Sequence, residues 1–214
     1  MLTRNTSLTD ADRAYQQIKE MIVTLEMRPG TVIQEAQLRD DLGLGRTPIR
    51  EALKRLQSEN LVVVKPRRGI FVTDITITDL SQIFEVRVEL EALCARLAAQ
   101  RITAAQLVEL RRLAEEYERI DPVNLKELFD IDRRFHNLLA TAANNEFLRR
   151  EMDLFHNLSL RIWYLALSRV QAEDIDVQAH LDILAACEAR DPDCAEARMR
   201  EHISLFHIAI KQFL

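Results

Sequence analysis

The chain has 214 residues, 48% hydrophobic and 29% charged, with only 4 Gly and 5 Pro; this suits one large domain or a small domain joined to a larger one, and favours helices over loop-rich folds. Its formal net charge is −5, and its three cysteines, Cys94, Cys187 and Cys194, form no Cys-x-x-Cys, which argues against a disulfide framework and a thiolate zinc site. No stretch approaches the ~20 apolar residues of a membrane span and the N-terminus lacks a signal-peptide core, so a cytoplasmic protein with no membrane partner is expected.

Tyr15, Ile18, Ile22 and Leu25 recur at helical spacing and predict a first helix that Arg28-Pro29-Gly30 ends. Residues 31–33 read as a short strand. Glu35 to Leu42 reads as a second helix with Leu38 and Leu42 inward, followed by a turn at Gly43-Leu44-Gly45. Thr47-Pro48 predicts the start of a third helix, with Thr47 capping free N–H groups and Pro48 losing no hydrogen bond. Ile49, Ala52, Leu53 and Leu56 form its apolar stripe, leaving Arg46, Arg50, Lys54 and Arg55 on or beside the opposite surface. Asn60 ends it, because Asn tolerates left-handed backbone. The β-branched runs 61–64 and 70–73 flank Lys65-Pro66-Arg67-Arg68-Gly69 and predict a hairpin with a basic tip.

Residues 43–72 set seven Lys and Arg against two Glu inside an acidic chain, which points to a polyanion as the partner of that segment alone. The leading end of a helix braced in the major groove lies nearest the base edges, and Arg46, Thr47 and Arg50 occupy it. Arg67 and Arg68 suit phosphates or the adjacent minor groove, with Gly69 permitting close approach. Charges that merely solvate an amphipathic helix are the bland alternative. The coincidence of a tight turn, a Thr-Pro start and a basic hairpin favours a winged helix-turn-helix that binds double-stranded DNA.

From Thr76 onward the pattern is helical. Ile83, Val86, Leu90, Leu93 and Leu97 form one stripe; Leu107, Leu110, Leu113 and Tyr117 form the next, opened by the capping box Thr103-x-x-Gln106. Asp121-Pro122 starts a further helix, Asn144-Asn145 ends it, and later patterns cover roughly 147–169, 174–189 and 194–213. The predicted fold is therefore mainly α: a winged helix-turn-helix domain over residues 8–74, a hinge at 74–79, and an all-helical bundle of about six helices over 79–214.

Within that bundle Leu125, Phe129, Asp132, His136 and Leu139 share one helical face. Asp132 then needs a cation, a proton or a strong donor nearby. His136, one turn away, offers a second metal ligand, although a buried His–Asp hydrogen bond has the same spacing. His180 and His202 each lie on the inward stripe of their own helix. Three histidines and one aspartate suggest a nitrogen and oxygen site for zinc, nickel, manganese or iron. His156 reads as a packed or surface histidine, and His207 replaces His202 if the last helix has another phase. Arg87, one turn before Glu91, is either half of an exposed pair or a pocket-facing clamp for a carboxylate.

The segment LGRTPIREALKRLQSENLVVVKPRRGIFV resembles the DNA-binding signature of the GntR family of bacterial transcription regulators, and the rest of the chain is similar to the FCD effector domain of its FadR subfamily. The resemblance covers essentially the whole sequence. It implies that Arg46, Thr47 and Arg50 match DNA-reading positions, that Gly69 matches the wing glycine, and that Asp132, His136, His180 and His202 fall on the metal-ligand pattern; it also favours Arg87 as an effector contact. Gly45 stands where the family usually has Ser or Thr, removing one phosphate contact, and Asn60 where it usually has Gly. The implied function is a dimeric regulator, not an enzyme, that binds a palindromic operator and carries a divalent metal and a small-molecule effector, an organic acid. Two rivals are a metal-dependent hydrolase and a regulator for which the metal itself is the signal.

Overall fold

Thr9 opens the first helix with a reciprocal cap: its hydroxyl accepts from the Asp12 N–H, and the Asp12 carboxylate accepts from the Thr9 N–H. The computed structural model describes residues 8–121, 124–166 and 177–211, and the chain divides between Ile75 and Thr76 into two units. The first contains α1 (Asp10–Val23), β1 (Val32–Ile33), α2 (Glu35–Leu42), α3 (Arg46–Ser58), β2 (Val62–Lys65) and β3 (Gly69–Val72). Helix α1 ends at Val23, before the Arg28-Pro29-Gly30 expected to stop it, because Leu25 is already left-handed at φ 60° and the Met27 N–H turns back onto the Met21 carbonyl at 2.8 Å.

Helix α3 starts at Arg46, so Thr47 is not its cap; Gly45 is, in extended backbone and with no side chain to offer. Ile49 is bonded back to the Gly45 carbonyl, which leaves Pro48 inside the first turn, where no N–H is required. At the other end Asn60 is left-handed at φ 58°. The Leu61 N–H reaches the Leu56 carbonyl at 3.0 Å and the Asn60 N–H the Gln57 carbonyl at 3.2 Å, the two bonds of a Schellman motif. The three-stranded antiparallel sheet has the order β1-β3-β2, with Val62 opposite Val72 and Lys65 opposite Gly69. Ile18, Ile22, Ile49, Leu56, Leu61 and Val72 are fully buried in this unit.

The second unit contains, among the described residues, α4 (Ile77–Arg101), α5 (Ala104–Arg119), α6 (Leu125–Ala142), α7 (Glu146–Ala166), α8 (Val177–Glu188) and α9 (Pro192–Lys211). Thr76 with Asp79 and Thr103 with Gln106 form capping boxes on α4 and α5. Asn124 caps α6 by accepting from the Glu127 N–H; Pro122, expected to start this helix, lies outside the described residues, as do the expected helical residues 167–169, 174–176 and 212–213.

Helix α4 packs against α6, α7, α8 and α9. Its buried line is Leu80, Arg87, Glu91, Ala95 and Ala98, whereas Val86 and Leu93, expected inward, are 41% and 40% exposed. A helix with neighbours on several sides has no single apolar face, and the alanines let those neighbours approach closely where larger aliphatic residues would not fit. Arg96 bonded to Asp193 and Glu196, Arg200 bonded to Glu89, and His207 stacked on Phe84 show that α9 runs antiparallel to α4.

Candidate functional site

On the first unit, Arg46 and Thr47 are the first two residues of α3, and they are exposed together with Arg50 and Lys54. The Arg50 Nε donates to Glu35 Oε2 at 2.8 Å. Arg55, on the same helix, is engaged within the unit: it donates to Asp12 Oδ1 at 2.8 Å and its guanidinium lies 3.8 Å over the Tyr15 ring. A groove between α3 and the sheet is lined by Glu35, Arg50, Leu53, Lys54, Val64 and Ile70, among others. Beyond the last rung, Arg67 and Arg68 project from the tip, where Arg67 is left-handed at φ 62° and the Arg68 N–H bonds the Lys65 carbonyl at 3.0 Å. Gly69, at φ 111°, has open space where a Cβ would stand, so its role within the chain is conformational. The surface offers guanidinium forks at a helix start and at a hairpin tip, the donors suited to bases and phosphates respectively.

In the second unit Asp132 and His136 of α6, His180 of α8 and His202 of α9 come together, all buried, with one ligand atom from each lying within 4.8 Å of the others. His180 Nε2 is 3.1 Å from Asp132 Oδ1, His136 Nε2 is 3.5 Å from the same oxygen, and His136 Nε2 is 3.3 Å from His202 Nε2. The phase expected for α9 is the one observed: His202 points inward, while His207 stacks on Phe84 with ring centroids 4.0 Å apart, outside the cluster.

Two further buried groups border the cluster. Glu91 is buried on α4; its Oε2 lies 2.6 Å from His136 Nδ1 and its Oε1 accepts from Arg87 Nε at 2.8 Å. A carboxylate on Nδ1 keeps the proton there and turns Nε2 toward the cluster as the ligating atom of a neutral ring. The sequence signal for Glu91 is the spacing 87, 91, 95, 98, a polar pair leading into two alanines. His156 of α7 is the second, the packed histidine of the sequence reading: it is buried 6.1 Å, ring centre to ring centre, from His136, and neither ring nitrogen has a hydrogen-bond partner among the described residues.

Burial opposes charge throughout this cluster, and the neighbours decide the outcome. At His136 the carboxylates of Glu91 and Asp132 outweigh burial and hold the ring up to about 9. The same pairing, with Arg87 beside Glu91 and His180 beside Asp132, overrides burial at both carboxyls and holds them well below the usual range. Burial and then the Arg87 charge press His156 down to about 3. Burial, then His180 and His136, press His202 well below the imidazole range. Arg87 is buried, not half of an exposed pair; its Nη2 has no partner among the described residues, its guanidinium faces the Trp163 ring at 5.6 Å, and it lines a pocket with Phe84, Ser159, Trp163 and His207.

The cluster fits a metal. Among the described residues Asp132 Oδ2 is buried without a partner, and of the facing Nε2 atoms of His136 and His202 only one can donate to the other, whereas a cation engages both lone pairs. Three imidazoles and one carboxylate, without thiolate, suit zinc, nickel, manganese or iron.

Residues 10–72 match the family described as bacterial regulatory proteins, gntR family, and residues 82–205 match the FCD domain. The chain is 28% identical over 202 residues to the HTH-type transcriptional repressor RspR of Escherichia coli, covering 92% of this chain and 87% of RspR. It is 30% identical over 183 residues to the Nta operon transcriptional regulator of Aminobacter aminovorans, covering 86% of each. The solved structure of E. coli McbR/YncC superposes with a TM-score of 0.86 over 96% of this chain and 99% of that one, at 21% identity, a likeness of fold.

Proposed function

Because the chain belongs to the GntR family and is a transcriptional regulator with an FCD domain, we propose that its operator binding is controlled by a small carboxylate bound beside a metal in the helical unit. DNA binding itself follows from the GntR helix-turn-helix. Residues 8–74 form the DNA-binding domain and 79–214 the effector and dimerisation domain in this reading. Arg46, Thr47 and Arg50 read bases, while Lys54, Arg67, Arg68 and Gly69 engage the backbone or the adjacent groove.

The observation that carries the effector reading is the buried Nη2 of Arg87, without a partner among the described residues, on the helix whose Glu91 orients His136. A cationic donor sealed from water without an acceptor is costly, and a carboxylate in the neighbouring pocket satisfies it. Asp132, His136, His180 and His202 hold the metal. When bound, the metal supplies a Lewis-acid contact for an effector oxygen. The protein's own groups do the rest: Glu91 fixes the His136 tautomer, Arg87 orients the carboxylate, and Trp163 and Phe84 wall off water.

A homodimer on a palindromic operator is supported by the exposed Val86 and Leu93 of α4 and the exposed Leu205 and Ile208 of α9, apolar side chains on two helices that pack together. The carboxylate acts through unequal affinity for the DNA-competent and incompetent arrangements. The test takes chelator-treated full-length chain, restores zinc, nickel, manganese or iron(II), and measures affinity for a selected operator across a panel of small hydroxy and dicarboxylic acids. At least one acid should shift operator affinity only in metal-loaded protein, and Arg87→Ala should abolish the shift. If every acid leaves affinity unchanged while metal alone alters it, the metal is the signal.

A further inference from the structure

Among the described residues Glu35 holds the Arg50 guanidinium by Nε alone, at 2.8 Å. Glu35 is the first residue of α2 and Arg50 lies in the second turn of α3, so the bond ties the two helices of the DNA-binding motif on their outer side. Both side chains line the same groove, along with Lys54 and Val64. The pair is open to water, with side chains 27% and 49% exposed, and such pairs contribute little to folding. A carboxylate on a surface that faces phosphates also weakens DNA binding in general. Neither stability nor overall affinity accounts for it.

The geometry points to a specificity role: we propose that Glu35 is a positioning residue that sets base selectivity by holding Arg50 so that both terminal nitrogens face outward. With Nε occupied from the side, the Nη1 and Nη2 fork is presented end-on, the arrangement that matches guanine O6 and N7. An unrestrained Arg at this exposed site distributes over many rotamers and must be ordered when it binds. This inference rests on the reading of Arg50 as a base contact.

Wild-type full-length chain, Glu35→Ala, Glu35→Gln, Arg50→Ala and the double Ala variant are each used to select from a pool of randomised DNA duplexes. Sequencing the bound fraction gives base preference at every position, and a random-sequence duplex measures non-specific binding. Glu35→Ala should lose roughly threefold to tenfold of the preference at the base pair that Arg50→Ala affects, the scale of one immobilised side chain, while binding the random duplex as well as wild type or better. Glu35→Gln, whose amide oxygen still accepts from Nε, should keep most of that preference. In the Arg50→Ala background, Glu35→Ala should change nothing further. An unaltered melting temperature for Glu35→Ala assigns the loss to recognition.

Full preference in Glu35→Ala overturns the proposal and leaves a surface ion pair. A loss that persists without Arg50 also overturns it, because Glu35 then reads a base itself, as a carboxylate does at cytosine N4. If Arg50→Ala loses no preference at any position, the reading of Arg50 fails, and the positioning role with it.

Discussion

Arg46, Arg50, Arg67 and Arg68 stand in water on α3 and the wing, whereas Arg87, Glu91, Asp132, His136 and His202 are buried together inside the helical unit. The first group has little to lose in folding and is available to a partner. The second group must neutralise itself before any partner arrives, and it does so by the chain Arg87, Glu91, His136, Asp132, His180. Substitutions in the two regions should therefore report on different quantities, operator affinity for one and stability for the other.

The largest effect should come from cutting the buried chain. Glu91→Ala leaves Arg87 and His136 buried without their carboxylate and should destabilise the protein by about 3–5 kcal/mol, read by denaturant titration. A loss below about 1 kcal/mol would break the contrast, because it would give this pair the behaviour of a surface one.

Metal comes next. A ligand that binds only the folded state at ~100 times Kd adds about 2.7 kcal/mol, so saturating metal should raise the melting temperature clearly, chelator should reverse it, and His180→Ala or His202→Ala should abolish it. His156→Ala and His207→Ala should preserve it. The pH dependence has a definite sign. His136 is raised to about 9 from an unfolded value near 6.5, so in metal-free protein its stabilisation is complete below about 6.5 and is lost as pH rises through about 9. Metal must displace that proton at pH 7, and its affinity should climb by up to about tenfold per pH unit until about pH 9. A competition titration with a chromophoric chelator that gave a flat profile would exclude a charged His136.

Arg50→Ala should weaken operator binding by about 1–3 kcal/mol and relax one base position, while its melting temperature stays at the wild-type value. Gel-shift affinity and a thermal melt on one preparation test both halves. The smallest effect sharpens the comparison within the first unit: Asn60→Gly should stabilise it by less than ~1 kcal/mol, since Asn60 holds φ 58° at a small cost that Gly avoids. A destabilised Asn60→Gly would mean that the Asn side chain contributes more than backbone tolerance.

Much of the first unit was legible because its determinants are local. The cap at Asn60, the β-branched runs and the basic tip lie within a few residues of what they specify. The start of α3 lies two residues before the Thr47-Pro48 expected from sequence, because Thr47-Pro48 offers capping chemistry that Gly45 meets by backbone conformation alone. In the bundle, the cluster of Asp132, His136, His180 and His202 was legible from helical phase together with family resemblance. The inward face of α4 was not. Its large aliphatic residues suggested Val86 and Leu93, but contacts with four other helices bury Arg87 and Glu91 instead. Glu91 finds its partner 45 residues away, and no local pattern encodes that.

The position of β3 in the middle of the sheet has a consequence for how the wing can change its reach. Because β3 is paired on both sides, with β1 at Val32 and Ile33 and with β2 up to the rung of Lys65 and Gly69, its register is fixed from two directions before the tip begins. The tip residues 66–68 add no rung of their own. Extending the hairpin by two residues in each arm, which keeps the tip on the same face, therefore moves the two arginines outward by about 7 Å and leaves every existing rung, and α3 beneath it, in place. Wing length is thus an adjustable dimension of this domain, free to vary between relatives or by design without retuning the core.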